Sequence, residues 1–263
     1  MGKVPVKNQR EIALMREAGR IVAEVLELVG SHIRPGVQTA ELDRIAEEYI
    51  RSRGGLPAFK GYGPDRDNPF PSTLCISIDD AVVHGIPDRR TLEAGEIVSV
   101  DVGVSKAGYF GDAARTFPVG AVSPEATRLL QVTRESLQEG IARAKAGGHL
   151  HDVSAAIQAY VEAAGFSVVR DLCGHGIGRN LHEDPSVPNY GIAGTGVVLK
   201  AGMTLAIEPM VNAGTYRVVL DDDGWTVRTA DGKPSAHFEH TVLVTADEAE
   251  ILTTNGETGS HKS

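Results

Sequence analysis

Two stretches of this chain read as copies of one another, and each places an acid at the same point. Residues 92–104 and 199–211 align without a gap, with the leucine, alanine, glycine and final valine identical, and Asp101 falls on Glu208. His84-Gly85-Ile86 precedes the first copy and His175-Gly176-Ile177 the second. The echo extends to a helical segment, where Gly36, Glu41, Leu42, Tyr49, Ile50 and Gly54 correspond to Gly147, Asp152, Val153, Tyr160, Val161 and Gly165. Such a repeat constrains the chain to two half-units about a pseudo-twofold axis, with acids and histidines where they meet.

Each half carries only part of that constellation. The expected organisation is therefore one catalytic domain over 1–263, with halves of about 8–120 and 121–252 and a disordered tail over 253–263. No apolar run approaches the roughly 20 residues of a membrane helix, and no signal-peptide pattern opens the chain, so a cytoplasmic protein without membrane contact is expected. Two cysteines, Cys75 and Cys173, imply neither a disulfide framework nor a thiolate zinc site. A formal charge of −9 without a basic run disfavours nucleic-acid binding.

Asn8 can cap a helix running to about Gly30, with an apolar stripe of Ile12, Met15, Ile21, Val22, Val25, Leu26 and Val29. Thr39 can cap a second through Arg53. Ser123-Pro124-Glu125 is a strong start for a third, to about Lys145, and a fourth spans about Asp152 to Ala164. Strands are expected at Leu74–Ile78, Ile97–Val104, Tyr109–Phe117, Met203–Val211, Trp225–Thr229 and His237–Val244. The stretch from Leu56 to Ser72, rich in Gly, Pro, Asp and Asn, reads as a long surface loop over the mouth of a site. The class is α+β, two helix pairs alternating with antiparallel strands.

In Ile97–Val104 the even-numbered valines share one face, and Ser99, Asp101 and Gly103 the other. A turn centred near Lys106 and Ala107 sets Asp101 directly across from Asp112. Two adjacent carboxylates repel unless one is protonated or a cation lies between them. Glu208 and Glu239 lie in apolar strand sequence, where an unpaired ionised carboxylate is expensive to bury. His175 sits among glycines that allow close backbone approach to a ligand, though a histidine so placed is more often simply satisfied in its loop; His182 follows in the same loop and, taken alone, is equally a polar loop residue. Four carboxylates and an imidazole match two divalent ions of the Mn, Fe(II), Co or Zn type. Such a pair, with a bridging water, suits hydrolysis of an amide or ester.

Seven motifs carry a further reading: Val83-His84-Gly-Ile-Pro87, Asp101-Val-Gly103, Gly111-Asp112, Cys173-Gly-His175-Gly-Ile-Gly178, Leu181-His182-Glu-Asp-Pro185, Ile207-Glu208-Pro-Met-Val-Asn212 and Phe238-Glu239-His-Thr241. In this order they resemble bacterial type I methionine aminopeptidases, subfamily A of peptidase family M24, from about Pro5 to Leu252. The resemblance implies a pita-bread fold, curved antiparallel sheets with two helix pairs. It also implies Asp101, Asp112, His175, Glu208 and Glu239 as ligands of two divalent ions (Co, Mn, Fe(II), Zn or Ni), Asp112 and Glu239 bridging. Glu208 would help activate the water, His182 would contact the substrate carbonyl, and His84 would lie near the scissile amide. Phe70, Cys75 and Trp225 would form the methionine pocket, with plain core filling the alternative for Phe70 and Cys75. Backbone groups near Asp79, Ala81 and Ser235 would hold one structural monovalent cation.

The implied substrates are N-termini of nascent polypeptides with a small second residue, cleaved by a monomer. Leu181, often aromatic in relatives, and the longer 56–72 loop depart from the pattern around the pocket. Prolidases and proline-directed aminopeptidases share the ligands but usually carry a further N-terminal domain. A metal-free peptide-binding relative would lack a ligand, and none is missing.

Overall fold

A computed structural model of the chain describes residues 4–63 and 65–255. Its first helix, α1 (Gln9–His32), begins where the sequence places it. The Asn8 side chain accepts from Glu11 N at 3.1 Å while the Glu11 carboxylate accepts from Asn8 N at 2.9 Å, a reciprocal cap. In α2 (Thr39–Ser52), Thr39 is the first helical residue and not the cap. Its hydroxyl instead exchanges hydrogen bonds with the Asp88 backbone, which ties α2 to a distant loop.

Ser123 caps α3 (Pro124–Ile141) by accepting from Ala126 N at 3.1 Å. The helix stops short of Lys145 because the chain there leaves to pair with another segment, Ala146 N donating to Thr245 O at 2.9 Å. Asp152 is the third residue of α4 (Leu150–Ala163), and its carboxylate accepts from His149 N at 2.8 Å, so the helix starts earlier than the sequence suggests.

Helices α1 and α2 pack on a sheet built around the strand Ile97–Lys106, whose Val98, Val100, Val102 and Val104 are completely buried with Ile21, Val25, Leu42 and Ile50. That strand turns back into Tyr109–Pro118 through Ala107 and Gly108, both at positive φ as a two-residue hairpin of primed type requires. Leu74–Ile78 pairs along its other edge, setting Cys75 beside Asp101, and Leu56–Pro57 continues that edge against Val104 and Ser105.

Helices α3 and α4 pack on the second half, with Leu129, Leu137, Val153 and Ile157 in one core with Leu205, Ile207, Val211 and Val242. Here the sequence suggests two continuous strands, and the chain forms four short ones: Thr204–Ile207 and Met210–Asn212, then Ser235–His237 and His240–Leu243. The first break falls at Glu208-Pro209, where proline has no N–H for the ladder, and the second faces it at Phe238-Glu239. The expected strand Trp225–Thr229 is Val227–Thr229, between Val218–Leu220 and Ala81–Val83.

The halves join along Tyr109–Pro118. Glu239 N donates to Ala114 O at 2.9 Å, Asp112 N to Thr241 Oγ1 at 3.0 Å, and His237 N to Thr116 Oγ1 at 2.9 Å. The expected tail lies outside the described residues from 256 onward, while Thr253 is buried and its hydroxyl pairs with His240 Nδ1.

Candidate metal centre and substrate pocket

The acids come together in a manner the hairpin reading does not anticipate. Asp101 lies opposite Ala114 and Asp112 opposite Gly103, so the turn is one residue further along than expected and the two carboxylates are diagonal neighbours. A shift of this kind moves each partner by two residues, and the period of two keeps both acids on the same face. In the second half, the register of His240 with Ile207 and of His237 with Met210 is the same. Carried through the break, it sets Glu208 across from Glu239.

All four acids, His175, His182 and His84 line a single cavity. Phe70, Cys75 and Trp225 line it too, with Phe59, Tyr62 and Leu181. Asp112, His175 and Glu239 offer ligand atoms within 4.8 Å of one another, and all three are buried. Asp101 Oδ1, Asp112 Oδ1 and Glu239 Oε1 are buried without a hydrogen-bond partner. Buried acceptors without donors are costly, and a bound cation, or protons in its place, resolves them.

The imidazole of His175 points the same way. Its Nδ1 lies 2.9 Å from Gly176 O, and since a carbonyl only accepts, Nδ1 carries the proton. The lone pair on Nε2 then faces Glu208 Oε1 at 3.6 Å and Asp112 Oδ2 at 3.9 Å, a repulsive contact unless a proton or a cation lies between. Burial holds the His175 pKa down at about 4, so the ring is neutral and able to ligate.

Burial also raises the acids. Asp101 is pushed up to about 7, with the nearby His237 opposing and Glu208 adding to the rise, and Glu208 reaches about 8. Asp112 and Glu239 lie well above the ordinary carboxylate range, through burial first and then through each other's neighbours: Asp101 and Glu208 act on Asp112, and Asp112 and Glu208 on Glu239. Such crowding is intolerable as four bare charges and fits divalent cations.

The remaining histidines frame the opening. His182 stacks edge-on against His175 with centroids 4.2 Å apart, and its Nδ1 lies 2.5 Å from the Tyr62 hydroxyl. His84 has a backbone φ of 59°, uncommon outside glycine, and burial holds its pKa at about 4. Its ring approaches Trp225 edge-on, which in turn meets Phe70 with centroids 5.3 Å apart.

The stretch 56–72 is less open than its composition suggests. Phe59 and Phe70 are buried, Gly61 N donates to Phe70 O at 2.8 Å, and Phe70 N to Tyr62 O at 2.7 Å. Trp225 Nε1 donates to Asn68 O at 3.1 Å, fastening the loop to the pocket wall.

Three site residues escape the sequence reading. Phe59 and Tyr62 lie in the loop read as a cover for the site; two aromatic residues among glycines and polar residues are the available signal. His237, buried, with Nε2 otherwise unpaired and 3.7 Å from Glu208 Oε2, sits two residues before Glu239. The period of a strand places both on one face, which is signal enough to raise it.

Comparisons with known proteins agree with this geometry. The model of metallopeptidase family M24 matches residues 13–246. A methionine aminopeptidase of Clostridium perfringens is 56% identical over 249 residues, covering 94% of this chain and 98% of the relative. The crystal structure of a methionine aminopeptidase from Thermotoga maritima superposes with a TM-score of 0.93 at 47% identity, covering 96% of this chain and 100% of that one. An Xaa-Pro dipeptidase from Bacillus anthracis, at 24% identity and a TM-score of 0.75, shares the fold over 95% of this chain and 62% of its own length. With a buried acid and imidazole cluster between two half-units and a family model spanning both, the chain belongs to metallopeptidase family M24 and is a metal-dependent peptidase of pita-bread fold.

Proposed function

We propose that the enzyme removes the N-terminal methionine from nascent polypeptides whose second residue is small, acting in the cytoplasm as a monomer. The carrying observation is the adjacency, in one cavity, of an unpaired carboxylate and imidazole cluster and a pocket walled by Phe70, Cys75, Trp225 and Leu181. A soft apolar wall suits a flexible thioether. The high identity to a relative called a methionine aminopeptidase supports the same substrate.

Asp101, Asp112, His175, Glu208 and Glu239 would hold two divalent ions, of the Co, Mn, Fe(II), Zn or Ni class. When bound, these supply Lewis-acid polarisation and lower the pKa of the attacking water. Glu208 takes the proton from that water as it adds to the first peptide carbonyl carbon, and returns it to the leaving amine. His182 donates to the carbonyl oxygen as negative charge grows there. Tyr62 fits this role: a hydroxyl donating to Nδ1 leaves the His182 proton on Nε2. His84 crowds the second residue beside the scissile amide, which limits it to small side chains. The backbones of Asp79 and Ser235 meet through a 2.8 Å hydrogen bond where the structural monovalent cation would sit.

The test is hydrolysis by the purified protein, stripped and then reloaded with Co(II), Mn(II) or Fe(II), of Met-Ala-Ser against Ala-Ala-Ser and Ala-Pro-Ala. Metal-dependent release of methionine alone is the expected result. Cleavage of only Ala-Pro-Ala moves the chain to the proline-directed branch, and no cleavage with any metal favours a peptide-binding role.

A further inference from the structure

The loop that carries His182 rests on a buried ion pair remote in sequence. Lys7, just ahead of the α1 cap, places Nζ 2.7 Å from Glu183 Oε2, and both side chains are almost fully shielded, 5% and 8% exposed. The other oxygen of Glu183 accepts from Arg179 N at 2.7 Å and from Asn180 N at 3.1 Å, so one carboxylate closes the turn leading into His182. The turn is built around the lysine. A Cβ on Gly178 would meet Lys7 Cε and Nζ, while Gly178 O accepts from Phe110 N at 2.9 Å and Lys7 N donates to Gly202 O at 2.7 Å. His182 itself reaches solvent, and among the described residues its ring is held by Tyr62 and His175. Its backbone is placed by the strand it leads into, where Glu183 pairs with Gly176, and by the turn that the Glu183 carboxylate closes.

We propose that Lys7 and Glu183 are positioning residues for His182: the buried pair sets the height and tilt of the imidazole over His175, and so the aim of its donor at the substrate carbonyl. This rests on the role given to His182 above. Lys7 touches neither substrate nor the carboxylate cluster, and its effect passes through the turn. A buried pair of this sort contributes little net stability against an apolar replacement but fixes geometry, and a donor displaced by about 1 Å costs on the order of 100-fold in rate.

The experiment is a double-mutant cycle of Lys7→Met and His182→Ala on Met-Ala-Ser, run well below each melting temperature, with Lys7→Arg as the conservative variant. Imidazole proton–nitrogen NMR of the metal-free protein provides a readout independent of turnover. Lys7→Met is expected to lower kcat by roughly 10- to 100-fold with KM nearly unchanged and metal stoichiometry intact. It should shift the His182 resonances and leave those of His240 in place, cost nothing further in the His182→Ala background, and be largely rescued by Lys7→Arg. Should Lys7→Met not fold, Glu183→Gln keeps an acceptor for both turn amides, removes the charge facing Lys7, and reads the same quantities. A lowered melting temperature with unchanged kcat, or an equal loss of turnover with and without His182, overturns the proposal. Full turnover in His182→Ala alone overturns the reading of His182 beneath it, and is distinct from failure of the brace, which is an unmoved His182 spectrum in Lys7→Met.

Discussion

The two halves build the same hairpin in different ways. In the first, Ile97–Lys106 and Tyr109–Pro118 form an unbroken ladder, joined by two residues, with the acids diagonal to each other. In the second, the ladder is broken at the acids, Glu208 and Glu239 face each other across the break, and residues 213–234 replace the tight turn. An aspartate on a regular pleat reaches a short distance from a fixed backbone. A glutamate beside a missing ladder rung reaches further from a backbone free to adjust. The long connection in the second half adds what the first lacks: Val218–Leu220 and Val227–Thr229 pair with Ala81–Val83, and the turn between them delivers Trp225 to the cavity. The acid-bearing scaffold is thus nearly symmetric while the two connections are not: only the second adds to the pocket wall, where Trp225 joins Phe70 and Cys75 of the first half and Leu181 of the second.

The largest effect should separate the equivalent acids Asp101 and Glu208. Glu208→Ala removes a ligand and the proton acceptor together, so kcat should fall by about 10²- to 10⁴-fold or more with far-UV circular dichroism unchanged. Asp101→Ala removes a ligand only and should retain more turnover at saturating metal. Equal losses would break the asymmetry of roles, and undiminished activity of Glu208→Ala would sink the dimetal assignment.

A smaller effect should appear in stability when metal is removed, and it tests whether both halves act as one charged cluster. Asp101 at about 7 and Glu208 at about 8 keep protons in the folded metal-free protein that the unfolded chain releases near the ordinary carboxylate pKa. Wherever the folded state binds more protons, stability falls as pH rises, so the loss accumulates from about pH 4 to about pH 8. In chelator, the melting temperature should drop by roughly 10 °C between pH 5 and pH 8. With saturating Mn(II) that slope should vanish, because the cation takes the place of the protons. A melting temperature that rises with pH in chelator would contradict it.

How much of this is legible in the sequence follows the same division. The duplication locates Asp101 and Glu208 because repeated sequence preserves residue type at equivalent points, and Asn8 and Ser123 announce α1 and α3 through local hydrogen bonds. The hairpin turn comes out one residue early, and the register two residues off, because Lys106 and Ala107 look like the turn pair; the pairing and the positive φ at Ala107 show that the pair is Ala107 and Gly108. The strand breaks at Glu208 and Glu239 escape notice although Pro209 signals one, since an apolar run looks the same whether or not its ladder is continuous. Contacts such as Tyr62 with His182 or Lys7 with Glu183 join residues far apart in the chain, and no local pattern predicts them.

The smallest effect concerns the hairpin tip, where the first half has only a turn. Ala107 is exposed at φ 51°, a conformation that costs an L-residue with a plain Cβ roughly 1 kcal/mol, and Gly108 follows at φ 79°. Asparagine tolerates this region and Asn-Gly is the favoured pair for such a turn, so Ala107→Asn should recover about that much. For a domain of this size the gain corresponds to a rise of about 2–4 °C in melting temperature. Turnover, KM and metal affinity should not change, because the tip lies several residues beyond Asp101 and Asp112 and only holds their strands together. If kcat moves with the melting temperature, the first connection is coupled to the site as the second is, and the division between a plain hairpin tip and a pocket-bearing connection fails.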